Sequence, residues 1–228
     1  MTERLHHASY FPQVETALKD PNGLLAMGGD LSLEWLLDAY RHGIFPWFNP
    51  GEPILWWSPD PRMVLVPGEI RVTRSLAKRM RNGGFEVRVD SALVEVMRAC
   101  GAPREDGAGT WISEAMVAAY SRLFDAGYAH SVETWRDGVL VGGLYGVAIG
   151  RMFYGESMFS REPDASKIAL VRLAQQLQQW EFGMIDCQME TAHLSSMGAR
   201  TMPRAAFVTR LAELVNLPHR PGPWTFDL

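Results

Sequence analysis

The stretch MIDCQME, residues 184–190, alternates in the manner of a β-strand. On that spacing Asp186, Gln188 and Glu190 share one face, with Cys187 and Met189 on the other. A row of acid, amide and acid can bind a cation or manage a proton. A further acid, Glu156, stands in FYGESMF among aromatic and methionine neighbours. Burial of a carboxylate is costly unless a donor or cation meets it. Two readings are open on pattern alone. The acids are anchors tied to Arg, Lys or backbone donors, or they face a cleft. With Gln188 beside them, the cleft reading favours a substrate that carries an amine.

Other chemistries fit less well. Cys187, Glu190 and His193 do not make a metal set, because Cys187 points away from Glu190 and no second Cys or His is near. Ser157 follows Gly155-Glu156 without a G-x-S-x-G elbow. Cys187 with His193 as its base is an alternative nucleophile, against the commoner outcome of a buried structural thiol. In RVTRSLAKRMR, Arg74, Lys78 and Arg81 recur at spacings of four and three and line one helical face. Such a face is either solvated or a phosphate patch. Trp47, Trp56, Trp57 and Trp111 sit in loops or at element ends. They pack the proline-rich segment, or offer an indole on which a base stacks for ~1–3 kcal/mol.

These residues need elements to hold them. A chain of 228 residues with 47% hydrophobic content can bury a sizeable core. A net charge of −4 argues against indiscriminate coating of nucleic acid. No apolar run reaches the ~20 residues that cross a bilayer, and the first residues lack the apolar core of a signal peptide. Two cysteines make no disulfide framework, so a cytoplasmic setting is expected. Prolines at 46, 50, 53, 59 and 61 forbid long regular structure there, and a domain boundary is expected near residue 61. Residues 1–61 form a small turn- and aromatic-rich domain, holding a helix that starts at the Ser32 cap and stops at Gly43. Residues 62–228 form the second domain. MVLVPGEIRV reads as two strands about a Pro-Gly turn. A helix, the strand FEVRVD and two helices follow. Three strands turn at Asp137-Gly138 and Ile149-Gly150. A helix, the strand MIDCQME, a short helix and a last helix complete the order.

That order, in an α+β chain with a mixed, largely antiparallel sheet, resembles the acyl-N-acyltransferase fold of the GNAT type. A CoA-using member carries R/Q-x-x-G-x-G/A before the helix that follows its central strand, where amides cradle pyrophosphate. The corresponding GESMFSREPDASKIAL has acid, serine and proline instead. A CoA-dependent N-acyltransferase is therefore the alternative, and a non-catalytic tRNA- or degron-binding adaptor a second one.

Eight stretches carry a closer resemblance: PNGLLAMGGDLS, AYRHGIFPWF, PILWWSPDPR, GTWIS, GGLYGV, FYGESMFS, ASKIAL and IDCQ, in order along nearly the whole chain. On them the sequence resembles the bacterial leucyl/phenylalanyl-tRNA–protein transferases. The resemblance implies transfer of Leu or Phe, and more weakly Met, from aminoacyl-tRNA to the α-amine of proteins beginning with Arg or Lys, marking them for N-degron degradation. It implies no metal and no coenzyme. Trp47 and Trp111 would flank the terminal adenosine. Glu156 and Ser157 would belong to the reaction cleft, and Asp186 and Gln188 to the proton-handling pair. Tyr40 and Leu144 match positions that line the site, with Leu144 where Met is also seen. The helix around Arg74, Lys78 and Arg81 would hold acceptor-stem phosphates. Asp186 is expected to polarise Gln188 and, directly or through a water, to take the charge. Glu156 or Glu190 is expected to meet the basic N-terminus, and Leu144 and Leu170 to wall the donor pocket. A monomer is expected.

Overall fold

The computed structural model describes residues 9–102 and 112–227. Trp111 lies outside them. Near the N-terminus, helix α1 (Leu33–Arg41) starts where Ser32 caps it by accepting from the Trp35 N–H. It ends before Gly43, whose φ of +74° suits a residue without Cβ. Three short antiparallel strands, β1 (Leu24–Met27), β2 (Phe45–Pro46) and β3 (Leu55–Trp57), make a small sheet in the order β1-β3-β2. The prolines keep these strands short, as the sequence requires, but do not prevent them. Trp56 is fully buried, donates its indole N–H to the Gly28 carbonyl at 2.8 Å and packs edge-on against Phe11.

A seven-stranded sheet dominates the rest. It contains β4 (Arg62–Leu65), β5 (Phe85–Val89), β6 (Ala129–Arg136), β7 (Val139–Ile149), β8 (Met152–Ser160), β9 (Met184–Gln188) and β10 (Arg200–Met202). The order is β10-β4-β9-β8-β7-β6-β5, with β8 and β9 parallel and every other pair antiparallel. The mixed, mostly antiparallel sheet and the element order expected for an acyl-N-acyltransferase are both present. Asp137 and Gly138 take positive φ at the β6–β7 hairpin, the backbone an Asp-Gly turn favours. One expectation fails. Beyond β4 the chain makes a single 3₁₀ turn at Pro67–Glu69 and no second strand. The Pro67 ring fixes φ and removes a ladder donor there.

The sheet has a core on each face, and β7 shows how the sequence divides them. Tyr145, Val147 and Ile149 join one apolar cluster, with Tyr40 of α1, Met116 and Tyr120 of helix α4 (Glu114–Asp125) and Phe207 of helix α7 (Arg204–Val215). Leu144 and Ala148 join the other, with Leu76 of helix α2 (Arg74–Asn82) and Ile168 to Leu177 of helix α5 (Ala165–Gln179). This is the period-two consequence of a strand buried on both sides. Helix α3 (Leu93–Cys100) packs over β7 and β8 on the first face. Trp56 and Phe45 belong to that same cluster, so the small sheet shares its core.

The C-terminal segment is pinned across the far side. Trp224 stacks on His130 with ring centroids 3.5 Å apart, and its backbone N–H donates to Asp90, which also holds His130 at 2.9 Å.

Candidate functional site

The parallel β8–β9 pair is short. Met152, Phe153 and Tyr154 pair with Met184, Ile185 and Asp186, and the ladder then stops although both strands continue. Beyond that point each strand bulges. Tyr145 pairs with Ser157 but Gly146 with Gly155, which leaves Glu156 as the extra residue of β8. Met63 pairs with Gln188 but Val64 with Asp186, so Cys187 is extra on β9, and Gln188 takes φ +62°. Bulges re-aim side chains, and these open a pocket of about 580 Å³ between the separating strands. Its apolar wall includes Leu144, Phe153, Leu170, Leu173 and Ile185, and its polar groups are Glu156, Ser157 and Gln188. A helix, α6 (Ala192–Ser196), capped by Thr191, stands at the rim with His193 and Leu194.

Glu156 is the centre of the polar side. Tyr120 donates to its Oε2 at 2.9 Å, and the Gln188 Nε2 donates to its Oε1 at 3.3 Å. The Tyr40 hydroxyl bonds the Tyr120 hydroxyl in turn. With its one proton given to Glu156, Tyr120 must accept from Tyr40. The result is a directed chain, Tyr40 to Tyr120 to Glu156. Burial pushes the Glu156 carboxyl up to about 7, against the pull of the Tyr40 and Tyr120 hydroxyls. Burial likewise raises all of Tyr40, Tyr120 and Tyr145 well above the usual phenol, so each stays protonated as a donor.

The expected row on β9 is broken by its bulge. Asp186 does not face the pocket. It is fully buried, and Arg62 grips it from Nε at 2.8 Å and Nη2 at 2.6 Å. The Arg62 guanidinium lies between the Phe45 and Phe207 rings, 4.8 and 4.7 Å from their centroids. The Asp186 Oδ1 also accepts the backbone N–H of Gln188 at 2.8 Å. So Asp186 is an anchor that sets Gln188 in its bulge. It has no route to a substrate proton, and the expectation that it takes the charge is corrected. Cys187, expected on the opposite face, lines the pocket instead, with its thiol raised by burial and so inert. Glu190 lies beyond β9 and is exposed, outside the pocket.

Of the other residues singled out, Leu144, Leu170, Ser157 and Trp47 line the pocket. Trp47 is at its outer edge, 38% exposed, and leans on Trp57. Tyr40 sits behind Tyr120 rather than on the wall. Arg74, Lys78 and Arg81 are exposed on α2 and do not touch the pocket. Burial and the charge of Lys167 lower the His193 imidazole. Among the described residues no three of His, Cys, Asp and Glu gather as metal ligands, and no helix is long and apolar enough to cross a membrane. Sequence reasoning missed Arg62 and Tyr120. Arg62 meets its partner 124 residues away, and Tyr120 sits at a core spacing of α4 that gives no sign of its hydroxyl.

The geometry combines a deep apolar pocket with a near-neutral carboxyl and an amide at its mouth. Comparison with known proteins supplies the rest. A family model described as leucyl/phenylalanyl-tRNA protein transferase matches residues 64–212, and the model of that family's N-terminal domain matches residues 29–60. The chain is 82% identical over 227 residues to a leucyl/phenylalanyl-tRNA–protein transferase of Thiobacillus denitrificans, covering 100% of both chains. It is 63% identical to that of Nitrosomonas europaea, over 100% of this chain and 96% of the relative. The one from Chromobacterium violaceum is 61% identical over 95% and 93%. Among solved structures, a GCN5-related N-acetyltransferase from Kribbella flavida aligns with a TM-score of 0.39 at 16% identity, over 74% of this chain and 59% of that one. With matches of this length and identity, the chain belongs to the leucyl/phenylalanyl-tRNA–protein transferase family.

Proposed function

We propose that this enzyme moves Leu or Phe, and less well Met, from aminoacyl-tRNA to the α-amine of proteins that begin with Arg or Lys. The product is a substrate for N-degron degradation. We read it as a cytoplasmic monomer that needs no metal or coenzyme. The observation that carries the reading is the pairing of Glu156 with Gln188 at the mouth of the apolar pocket.

The acceptor arrives as an ammonium with a pKa near ~7.7–8.0. Since the Gln188 Nε2 is given to Glu156, its Oε1 is left to accept from that ammonium. Glu156, poised at about 7, takes the proton that frees the nitrogen's lone pair. The nitrogen attacks the ester carbon, the C–N bond forms and the bond to the ribose oxygen breaks. The second N–H proton, shed as the tetrahedral intermediate collapses, goes to the departing ribose oxygen. An ester is exchanged for an amide, so no nucleotide hydrolysis is required.

Arg62 and Asp186 act as positioning residues beneath Gln188. Leu144 and Leu170 wall the donor side chain, and Cβ branching in Ile or Val would meet that wall. Trp47, with Trp111, would take the terminal adenosine, and Ser157 belongs to the cleft. Arg74, Lys78 and Arg81 would meet acceptor-stem phosphates. The test is direct. Phe-tRNA mixed with an Arg-initiated peptide should yield a peptide heavier by one Phe residue, and Val-tRNA should not extend it. No product from Leu- or Phe-tRNA would refute the reading.

A further inference from the structure

A second cavity, of about 700 Å³, adjoins the reaction pocket and shares Cys100, Ala102, Met158 and His193 with it. A chain leaving the pocket over that rim enters this cavity directly. Its floor is the β8–α5 corner, with Arg161, Glu162, Asp164 and Lys167. The carboxylates are already engaged. Arg136 bonds Glu162 at 2.8 Å, Lys167 bonds Asp164 at 2.9 Å, and Arg79 of α2 lies 4.0 Å from Asp164. Four cations, Arg79, Arg136, Arg161 and Lys167, thus meet two carboxylates. Arg161 has no carboxylate partner among the described residues. It is exposed, yet held in place by the Leu140 carbonyl at 3.1 Å and by the Phe159 ring.

We propose that this cavity holds the phosphodiester backbone of the RNA just 5′ of its acylated end, with Arg161 and Lys167 as the phosphate-binding side chains. The inference rests on the aminoacyl-tRNA reading above and gives that substrate its path. An excess of positive charge attracts a polyanion and repels a peptide that begins with Arg or Lys. A guanidinium held by a carbonyl and a ring loses little freedom on meeting a phosphate. The path also continues. Arg79 and Arg136 both pack on Phe85, and α2 carries Arg74, Lys78 and Arg81 on its exposed face. Pocket, cavity and α2 form one line along which a single-stranded end can run into a duplex stem. The acceptor polypeptide is then left the opposite edge, by Trp47 and Met189.

The experiment measures binding of uncharged tRNA to the full chain by fluorescence anisotropy over a salt series, beside the KM for an Arg-initiated peptide. Arg161→Gln with Lys167→Gln should weaken tRNA binding about 5- to 10-fold and make the log–log salt slope shallower by about 1. Arg161→Lys should keep most of the affinity. Ala99→Glu, which puts a carboxylate on the opposite wall without removing a bond, should also weaken it, and melting curves confirm that each variant is folded. Unchanged tRNA affinity in both the double variant and Ala99→Glu would overturn the proposal. So would a lower peptide KM in Ala99→Glu with tRNA binding intact, which would reassign the cavity to the acceptor. Failure of the wild type to transfer would instead sink the functional reading, while the anisotropy still decides the cavity.

Discussion

Tyr120 donates to Glu156 at 2.9 Å from a helix that approaches the sheet on its buried face, so the carboxyl is held by a phenol that never meets solvent. This bond favours the ionised carboxylate and opposes the burial that raises it. Tyr120→Phe should therefore move the Glu156 pKa further up. The midpoint of the acid limb of kcat/KM should rise by about one unit. A pH–rate profile from 5.5 to 9 checks it, and an unmoved limb would show that Glu156 is not the group titrating.

Glu156→Gln should remove the limb near 7 and lower kcat/KM by about 10²–10⁴-fold. The inflection of the acceptor amine, near ~7.7–8.0, should persist. Arg- and Ala-initiated peptides should lose rate equally if the carboxyl serves the proton. A loss confined to the Arg peptide would make it the selector of the basic terminus.

The same substitution has a stability signature of defined sign. Glu156 binds its proton more tightly folded than unfolded. The stability this contributes is fully present below the unfolded value of about 4.3 and is lost as pH rises through about 7. Glu156→Gln should therefore raise Tm relative to wild type at pH 8 by a few degrees, with the gain vanishing near pH 4.5. Calorimetry at the two pH values reads it.

Removing one side of the Arg62–Asp186 pair strands the other in the core. Asp186→Asn and Arg62→Met should each cost about 3–5 kcal/mol. Arg62→Met with Asp186→Leu should recover part of that loss, since no charge is then left unpaired. At a temperature where Asp186→Asn is folded, it should lower kcat while leaving the pH midpoint in place, because its part is to seat Gln188 rather than to carry the proton. Urea melts and kinetics separate the two effects.

Leu144→Ala and Leu170→Ala enlarge the apolar wall. Each should cost about 2–5 kcal/mol of stability. Each should also narrow the preference for Leu over Ile, which such a wall sets at about 1–3 kcal/mol. Competition between Leu-tRNA and Ile-tRNA measures it, and an unchanged ratio would move the wall elsewhere.

Much of this was legible in the sequence because it was local. Ser32, Thr73 and Ser113 cap the helices they precede, and Asp137-Gly138 turns the hairpin it marks. Glu156, Gln188, Leu144 and Leu170 could be chosen for their types and for the motifs around them, and all four reach the pocket. What alternation could not yield was the face on which β9 residues end up. Strict period two puts Asp186 and Gln188 together, but one extra residue and a left-handed Gln188 send the amide to the pocket and leave the acid beneath it. Nor could spacing pair Arg62 with Asp186, because that contact is made by two strands distant in the chain. The three tiny strands of the N-terminal sheet were hidden for another reason: segments of two to four residues carry no measurable period.

The ladder between β8 and β9 ends at Tyr154 and Asp186 while both strands run on. Every peptide unit past that point still carries a donor and an acceptor, and those that faced the missing neighbour face the gap. A guest whose own backbone bears an amine and a carbonyl can take up the vacated rungs. Recognition of the α-amino acid skeleton would then be written in main chain, where no side-chain substitution can erase it, and only the choice among side groups would be left to Leu144 and its neighbours.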